Sequence, residues 1–216
     1  MKFFRGAREY IGKHLLTAKS GQNVRVAKVC SINDARSVGI LYNATNPVSF
    51  EIIKTFTKVL LQKKIEVSAL GYVDSKKLID HYLYRKGFDF FTKNELNWYY
   101  KPVSNIVDDF IKKPFDIFIN LSLEDYYPIQ YITALSVSSF KVGKLFREPF
   151  YLDMMIDIEK EKRAMKDLKE EIAKDKKMNG SKREIEEEVE KKVEIELQLN
   201  FLINQIMHYL SIIKSN

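Results

Sequence analysis

Cysteine is nearly absent. Cys30 is the only one in 216 residues, which excludes an internal disulfide and gives no sign of an oxidising compartment. Histidine is also scarce, with three in the chain: His14, His81 and His208 are scattered and offer no ligand spacing for a metal. Glycine is thin, with eight in the chain. No G-x-G-x-x-G or G-x-x-x-x-G-K-[ST] pattern occurs, and the first strand-to-helix turn, Asn43-Ala-Thr-Asn-Pro47, has none, so no phosphate-cradling loop is encoded. No serine lies in a G-x-S-x-G setting. No segment approaches the roughly 20 apolar residues of a membrane span. The first residues, MKFFRGAREYIGKHLL, scatter charge where a signal peptide has an apolar run. A cytoplasmic chain without metal or cofactor is expected.

Charge is present in quantity and unevenly placed. The net charge is +7. Residues 1–36 hold eight Lys or Arg against Glu9 and Asp34, while residues 37–158 hold fifteen against fourteen. Residues 159–194 hold twelve against twelve. Almost all of the excess therefore sits on the first sixth of the chain, where it would attract phosphates or anionic headgroups. Residues 3–18 read as a helix with Phe3, Ala7, Tyr10, Ile11 and Leu15 near one face and Lys2, Arg5, Arg8 and Lys13 elsewhere. Residues 19–36 lack a period and read as an arm.

From Ser37 the pattern changes to that of an α/β domain. Ser37 to Asn43 is a short β-rich run. Pro47 suits the first turn of a following helix, with Thr45 or Asn46 as cap. Phe50, Ile53, Phe56, Thr57, Leu60 and Leu61 recur at helical spacing, and Ile65 to Val73 is a second strand. Strand, helix and strand in that span predict a right-handed βαβ unit with parallel strands. Gly87 to Lys93 is a short aromatic strand, and residues 103–113 a short helix. Phe115 to Leu121 is the clearest strand, because a near-continuous apolar run is what a strand covered on both faces needs. Residues 125–139 read as a helix, Phe140 to Lys144 as a brief strand, and Leu152 to Ile158 as the last strand.

Residues 159–194 are two-thirds charged. Glu and Lys fall at spacings that allow i,i+4 pairs, and thin apolar stripes flank a break at Asn179-Gly180-Ser181. A helical hairpin turning at Asn179-Gly180 is expected. The chain ends in an apolar helix in which His208 reads as a partly buried structural residue. The predicted organisation is a basic helix and arm (1–36), one α/β domain (37–158 plus 198–216), and a charged helical insertion (159–197). The fold expected is a three-layer Rossmann-like domain on a mostly parallel sheet of about five strands.

Several stretches carry a resemblance when taken in order: Ser37-Val-Gly-Ile-Leu-Tyr-Asn, Gly71-Tyr-Val-Asp74, Phe91-Thr-Lys-Asn-Glu-Leu-Asn-Trp98 with Pro102, and Phe115-Asp-Ile-Phe-Ile-Asn-Leu. Tyr131-Ile-Thr-Ala-Leu-Ser, Phe140-Lys-Val-Gly143, Asp153-Met-Met-Ile-Asp157 and Ile203 to Ile213 complete it. Together they resemble the DUF6913 family of uncharacterised α/β proteins, found mainly in Bacteroidetes. The resemblance covers roughly 37–158 and 198–213 and implies a fold and a cytoplasmic setting, with no activity attached. Phe115 to Gly143 is also similar to the end of the N-terminal half of heptosyltransferase-type glycosyltransferases. Those enzymes hold a nucleotide sugar with a second Rossmann-like domain, and nothing after residue 158 reads as one.

Two sets of residues are candidates for contact with something else. In an open α/β sheet, ligands sit beyond the carboxyl ends of the strands, which singles out Asn43, Asp74, Asn120 and Glu124. Polar residues there also serve to cap the next helix. The second set is basic and aromatic. Tyr82 to Tyr100 is rich in Tyr, Phe and Trp with Arg85, Lys86, Lys93 and Lys101 interleaved, a composition suited to a protein hot spot or to stacking bases. With the leader this gives Arg5, Arg8, Lys13, Arg85, Lys93, Trp98 and Tyr99 as a patch for a protein partner or nucleic acid. The leading expectation is a non-catalytic interaction module with a protein partner. An RNA- or ribosome-associated protein and a degenerate nucleotide- or sugar-binding domain are the alternatives.

Overall fold

The computed structural model describes residues 2–21, 25–78, 86–160, 163 and 183–215, with residues 2–5 and 183–187 described by their backbone alone. Its elements are α1 (Lys2–Ser20), β1 (Ser37–Asn43), α2 (Pro47–Gln62), β2 (Glu66–Val73), β3 (Phe88–Thr92) and a 3-10 turn at Lys93–Glu95. They continue with α3 (Asn105–Lys112), β4 (Ile117–Asn120), α4 (Tyr127–Leu135), β5 (Phe140–Lys144), β6 (Met154–Ile156) and α5 (Arg183–Ile212).

All strand pairs are parallel, and the six strands run in the order β3-β2-β1-β4-β5-β6. This is the doubly wound order of the Rossmann-like fold, which reverses direction between β1 and β4. The strand count is one above the expected five or so, because β6 adds a three-residue edge strand. In β1, Val38, Ile40 and Tyr42 point to one face and Leu41 to the other, as the two-residue period dictates. The first face is covered by α2 and α5, with Phe50, Ile53, Leu60, Leu199, Leu202, Ile206 and Leu210 fully buried. The second face is covered by α3, α4 and α1, with Val107, Phe110, Phe115, Phe118, Ile132 and Leu16 in its core. Gly39 is required there by space: a Cβ would lie 2.5 Å from the Phe115 ring.

Local sequence explains several boundaries. Asn46 caps α2 by accepting a hydrogen bond from Val48 N at 2.9 Å, and Pro47 opens the helix. The start of the sheet is pinned by Asp116, whose Oδ2 accepts from Arg36 N, Ser37 N and Ser37 Oγ at 2.8, 2.9 and 3.2 Å. The segment after Arg25 runs along the sheet rather than away from it. Lys28 N donates to Ser139 O at 3.0 Å, and Ile32 N to Leu210 O at 2.9 Å.

The end of the chain departs from expectation in two ways. The charged stretch from Arg183 and the apolar C-terminal segment form one uninterrupted helix of 30 residues. No proline or glycine lies between 183 and 212 to break it. The turn expected at Asn179-Gly180 lies outside the described residues. His208 is exposed rather than partly buried, because the inward face of α5 is spent on Leu199, Leu202, Ile206 and Leu210. Its ring lies edge-on to Tyr209 at 5.4 Å.

Candidate functional site

The strand order makes the carboxyl edge between β1 and β4 the natural crevice. Asn43 ends β1, and its Oδ1 accepts from Thr45 N at 2.9 Å. Asp74 follows β2. Its Oδ1 accepts from Tyr72 Oη at 2.7 Å and pairs with Lys93 Nζ at 2.9 Å, and its own N–H donates to Thr45 Oγ1 at 2.8 Å. These bonds tie the first βα turn to the end of β2. Asn120 ends β4 and is buried, accepting from Ser122 N at 3.0 Å and donating to Thr133 Oγ1 at 3.2 Å. Glu124 stays exposed and takes the Tyr126 hydroxyl on its carboxylate. Burial, reinforced by Glu124, holds that phenol far above the ordinary tyrosine range.

Tyr126 and Glu124 form a wall between two depressions. One, of about 550 Å³, is bounded by Asn43, Asn46 and Leu123 from the sheet side and by Lys191, Lys192 and Gln198 from α5. The other, of about 400 Å³, is bounded by Asp74, Lys93, Tyr100 and Tyr127 together with Glu9 and Lys13 of α1. The loop between them is held from below by Lys144, a nearly buried lysine whose Nζ donates to Leu123 O at 3.0 Å. The fold thus brings Asn43, Asp74 and Glu124 around Tyr126. Asn120 lies beneath, against α4. Most of these polar atoms are spent on the turns themselves, and the Glu124 carboxylate is the most open group of the four.

The basic and aromatic residues converge more closely than their sequence separation suggests. α1 lies on α4 through Gly12 and Leu16. The Tyr127 hydroxyl donates to Gly12 O at 2.9 Å, and a Cβ at Gly12 would sit 2.7 Å from Tyr127 Cζ and 2.8 Å from Tyr99 O. Leu16 is 1% exposed. The Trp98–Tyr99 pair (ring centroids 5.1 Å apart) therefore stands beside the helix, and Lys13 and Lys93 border the same depression. Trp98 is 59% exposed. Arg8 is exposed on α1. The side chain of Arg5 and the whole of Arg85 lie outside the described residues.

Sequence reasoning missed two features here. Lys19 and Lys101 both stand over the Tyr131 ring, 5.5 and 5.7 Å from its centroid, and Lys19 Nζ also donates to the Tyr131 hydroxyl at 3.0 Å. The apolar face of α1 is the outward one, with Tyr10 74% and Leu15 47% exposed. Gly12, four residues before Leu16, was the available signal for the inward face, since helices approach closely where a side chain is missing.

Among the described residues no group of three His, Cys, Asp or Glu could hold a metal ion, and no helix is long and apolar enough to cross a membrane. No curated protein and no solved structure matches the chain. A family model does, over residues 7–174, a span that takes in most of α1 and all six strands. The chain belongs to the family of unknown function DUF6913.

Proposed function

We propose that this protein is a non-catalytic, cytoplasmic interaction module whose docking face is built by α1 together with the Lys93–Lys101 segment. One observation carries the reading: α1 uses Gly12 and Leu16 to pack on the domain and leaves Tyr10, Ile11 and Leu15 facing outward. An outward apolar stripe flanked by charge marks an interaction surface. The sheet edge supports the same reading from the other side, because Asn43, Asp74 and Asn120 are engaged in holding the turns. Residues 159–197 are carried in this proposal as an accessory arm of the module.

Affinity purification of the full chain from its own cells tests the reading, with a Tyr10→Ser/Leu15→Ser variant in parallel. Both substitutions lie at exposed positions, so melting should be unchanged while partner recovery is lost. Recovery equal to the parent's would remove α1 from the docking face. Running both with nuclease tests the RNA alternative, in which recovery depends on nucleic acid and falls steeply with salt.

The 550 Å³ crevice favours a second reading, binding of a nucleotide or sugar nucleotide. It lies at the switch point of the sheet and faces the start of α2, and its far wall carries Lys191 and Lys192 beside Glu188 and Glu194. Such a ligand should raise the melting temperature. A panel of nucleotides and sugar nucleotides that leaves melting unmoved would discard this reading.

A further inference from the structure

α1 has two opposed faces. Gly12 and Leu16 mark the one packed on α4. On the other, Ala7, Tyr10, Ile11, His14, Leu15 and Ala18 recur at i, i+3, i+4, i+7, i+8 and i+11, the spacing of a single stripe. All six are exposed. Arg8 and Lys19 border the stripe on the Leu15 side and Lys13 on the Tyr10 side, all three exposed. Over the whole helix five Lys or Arg stand against Glu9 alone.

From this placement we infer that α1 docks in the plane of an anionic lipid surface. Tyr10, Ile11 and Leu15 seat at the boundary between headgroups and acyl chains, and Arg8 and Lys13 meet the headgroup phosphates. The inference rests on the reading of α1 as the docking face and names its partner. An apolar centre with cationic shoulders is the pattern of a helix lying in a membrane interface, and each cation near an anionic leaflet adds attraction. His14 and Tyr10 suit the headgroup layer, where one end of a side chain is wet. Trp98 stands beside the helix with its ring exposed, and tryptophan favours the same layer.

Other occupants fit less well. A second copy would set two strongly basic helices against each other. Nucleic acid would press phosphates onto Ile11 and Leu15 instead of onto the cations. A peptide-binding groove encloses a helix on most sides, whereas α1 is already packed on the domain and offers only a ridge.

Vesicle sedimentation of the full chain tests the inference, with equimolar phosphatidylglycerol and phosphatidylcholine compared with phosphatidylcholine alone. Binding is expected to the anionic vesicles only, weakening with salt. Trp98, the one tryptophan in the chain, should shift its emission to the blue on binding. Tyr10→Ser/Ile11→Ser/Leu15→Ser should lower vesicle affinity by about tenfold or more with melting unchanged. Arg8→Glu/Lys13→Glu should do likewise. No sedimentation at low salt, or equal sedimentation of the triple serine variant, overturns the inference. If vesicles fail while the serine variant loses a purified protein partner, the lipid assignment falls and the interaction reading stands. If the serine variant changes neither, both fall.

Discussion

Lys141 lies in the middle of β5 with its side chain among apolar neighbours, and it is 2% exposed. Its Nζ donates to Thr133 O at 2.7 Å and Ala134 O at 3.3 Å, carbonyls of the last turn of α4. Burial, together with the nearby Arg25 cation, lowers its pKa from 10.5 to about 7, against a smaller opposing pull from Asp153. Below pH 7 the side chain is protonated whether the chain is folded or not, and folding carries the full desolvation cost. Between pH 7 and 10.5 the unfolded chain holds a proton that the folded one has released, so this residue makes stability climb with pH, by up to about 1.4 kcal/mol per unit. Denaturant titrations of the parent and Lys141→Met at pH 7 and pH 9 should show that rise in the parent and lose it in the variant. Equal slopes would place the proton elsewhere. Asp116 is the second residue whose removal should be felt widely, since its carboxylate takes three donors at the head of the sheet. Asp116→Ala should cost about 2–3 kcal/mol of unfolding free energy in the same titration. A cost near zero would mean water replaces the carboxylate.

Among the elements, α1 is the one whose attachment hangs on a single small residue. A Cβ at Gly12 would meet both the Tyr127 ring and the Tyr99 carbonyl, so Gly12→Val must lift the helix or displace the Trp98–Tyr99 loop. Hydrogen exchange should show α1 and residues 97–101 opening together, with about 1–3 kcal/mol of stability lost. Protection unchanged in that loop would separate the two. The elements differ in how far their sequences announced them. β4 was legible because Ile117, Phe118 and Ile119 are buried on both faces of the sheet and are all apolar. α2 was legible because Asn46 and Pro47 mark its start and its apolar period is regular. The orientation of α1 was not, since a stripe in a sequence does not say which side the tyrosines of α4 will occupy. Nor was the continuity of α5: its composition changes near Ile195 while its backbone meets no obstacle. At the sheet edge, the meeting of Asn43, Asp74 and Glu124 followed from strand order alone. Their engagement in turns depended on Thr45, Tyr72 and Lys93, whose pairing with them no spacing in the sequence announces.

At the scale of the molecule, one face of the sheet is covered by helices from opposite ends of the sequence. α2 supplies one half of that cover, and Leu199, Leu202, Ile206 and Leu210 of α5 supply the other. A chain truncated after residue 198 should therefore fail to give a cooperative thermal transition, with apolar surface exposed to dye. A sharp transition in that truncation would show that α2 and the sheet suffice.

The clasp between the segment before β1 and the last turns of α5 sets the timing of this event. Ile32 N and Ser31 Oγ both reach Leu210 O, Ser31 N meets Ser215 Oγ, and Ser215 Oγ reaches Asp34. Partners 179 residues apart cannot meet until the later of them has emerged from the ribosome. The strands made first must wait, with their apolar face incompletely covered, until Leu199 to Leu210 have been made. Folding of the domain is thus completed only once its last helix has been made, and the interval before that is when its apolar surface is most exposed to aggregation and to chaperones.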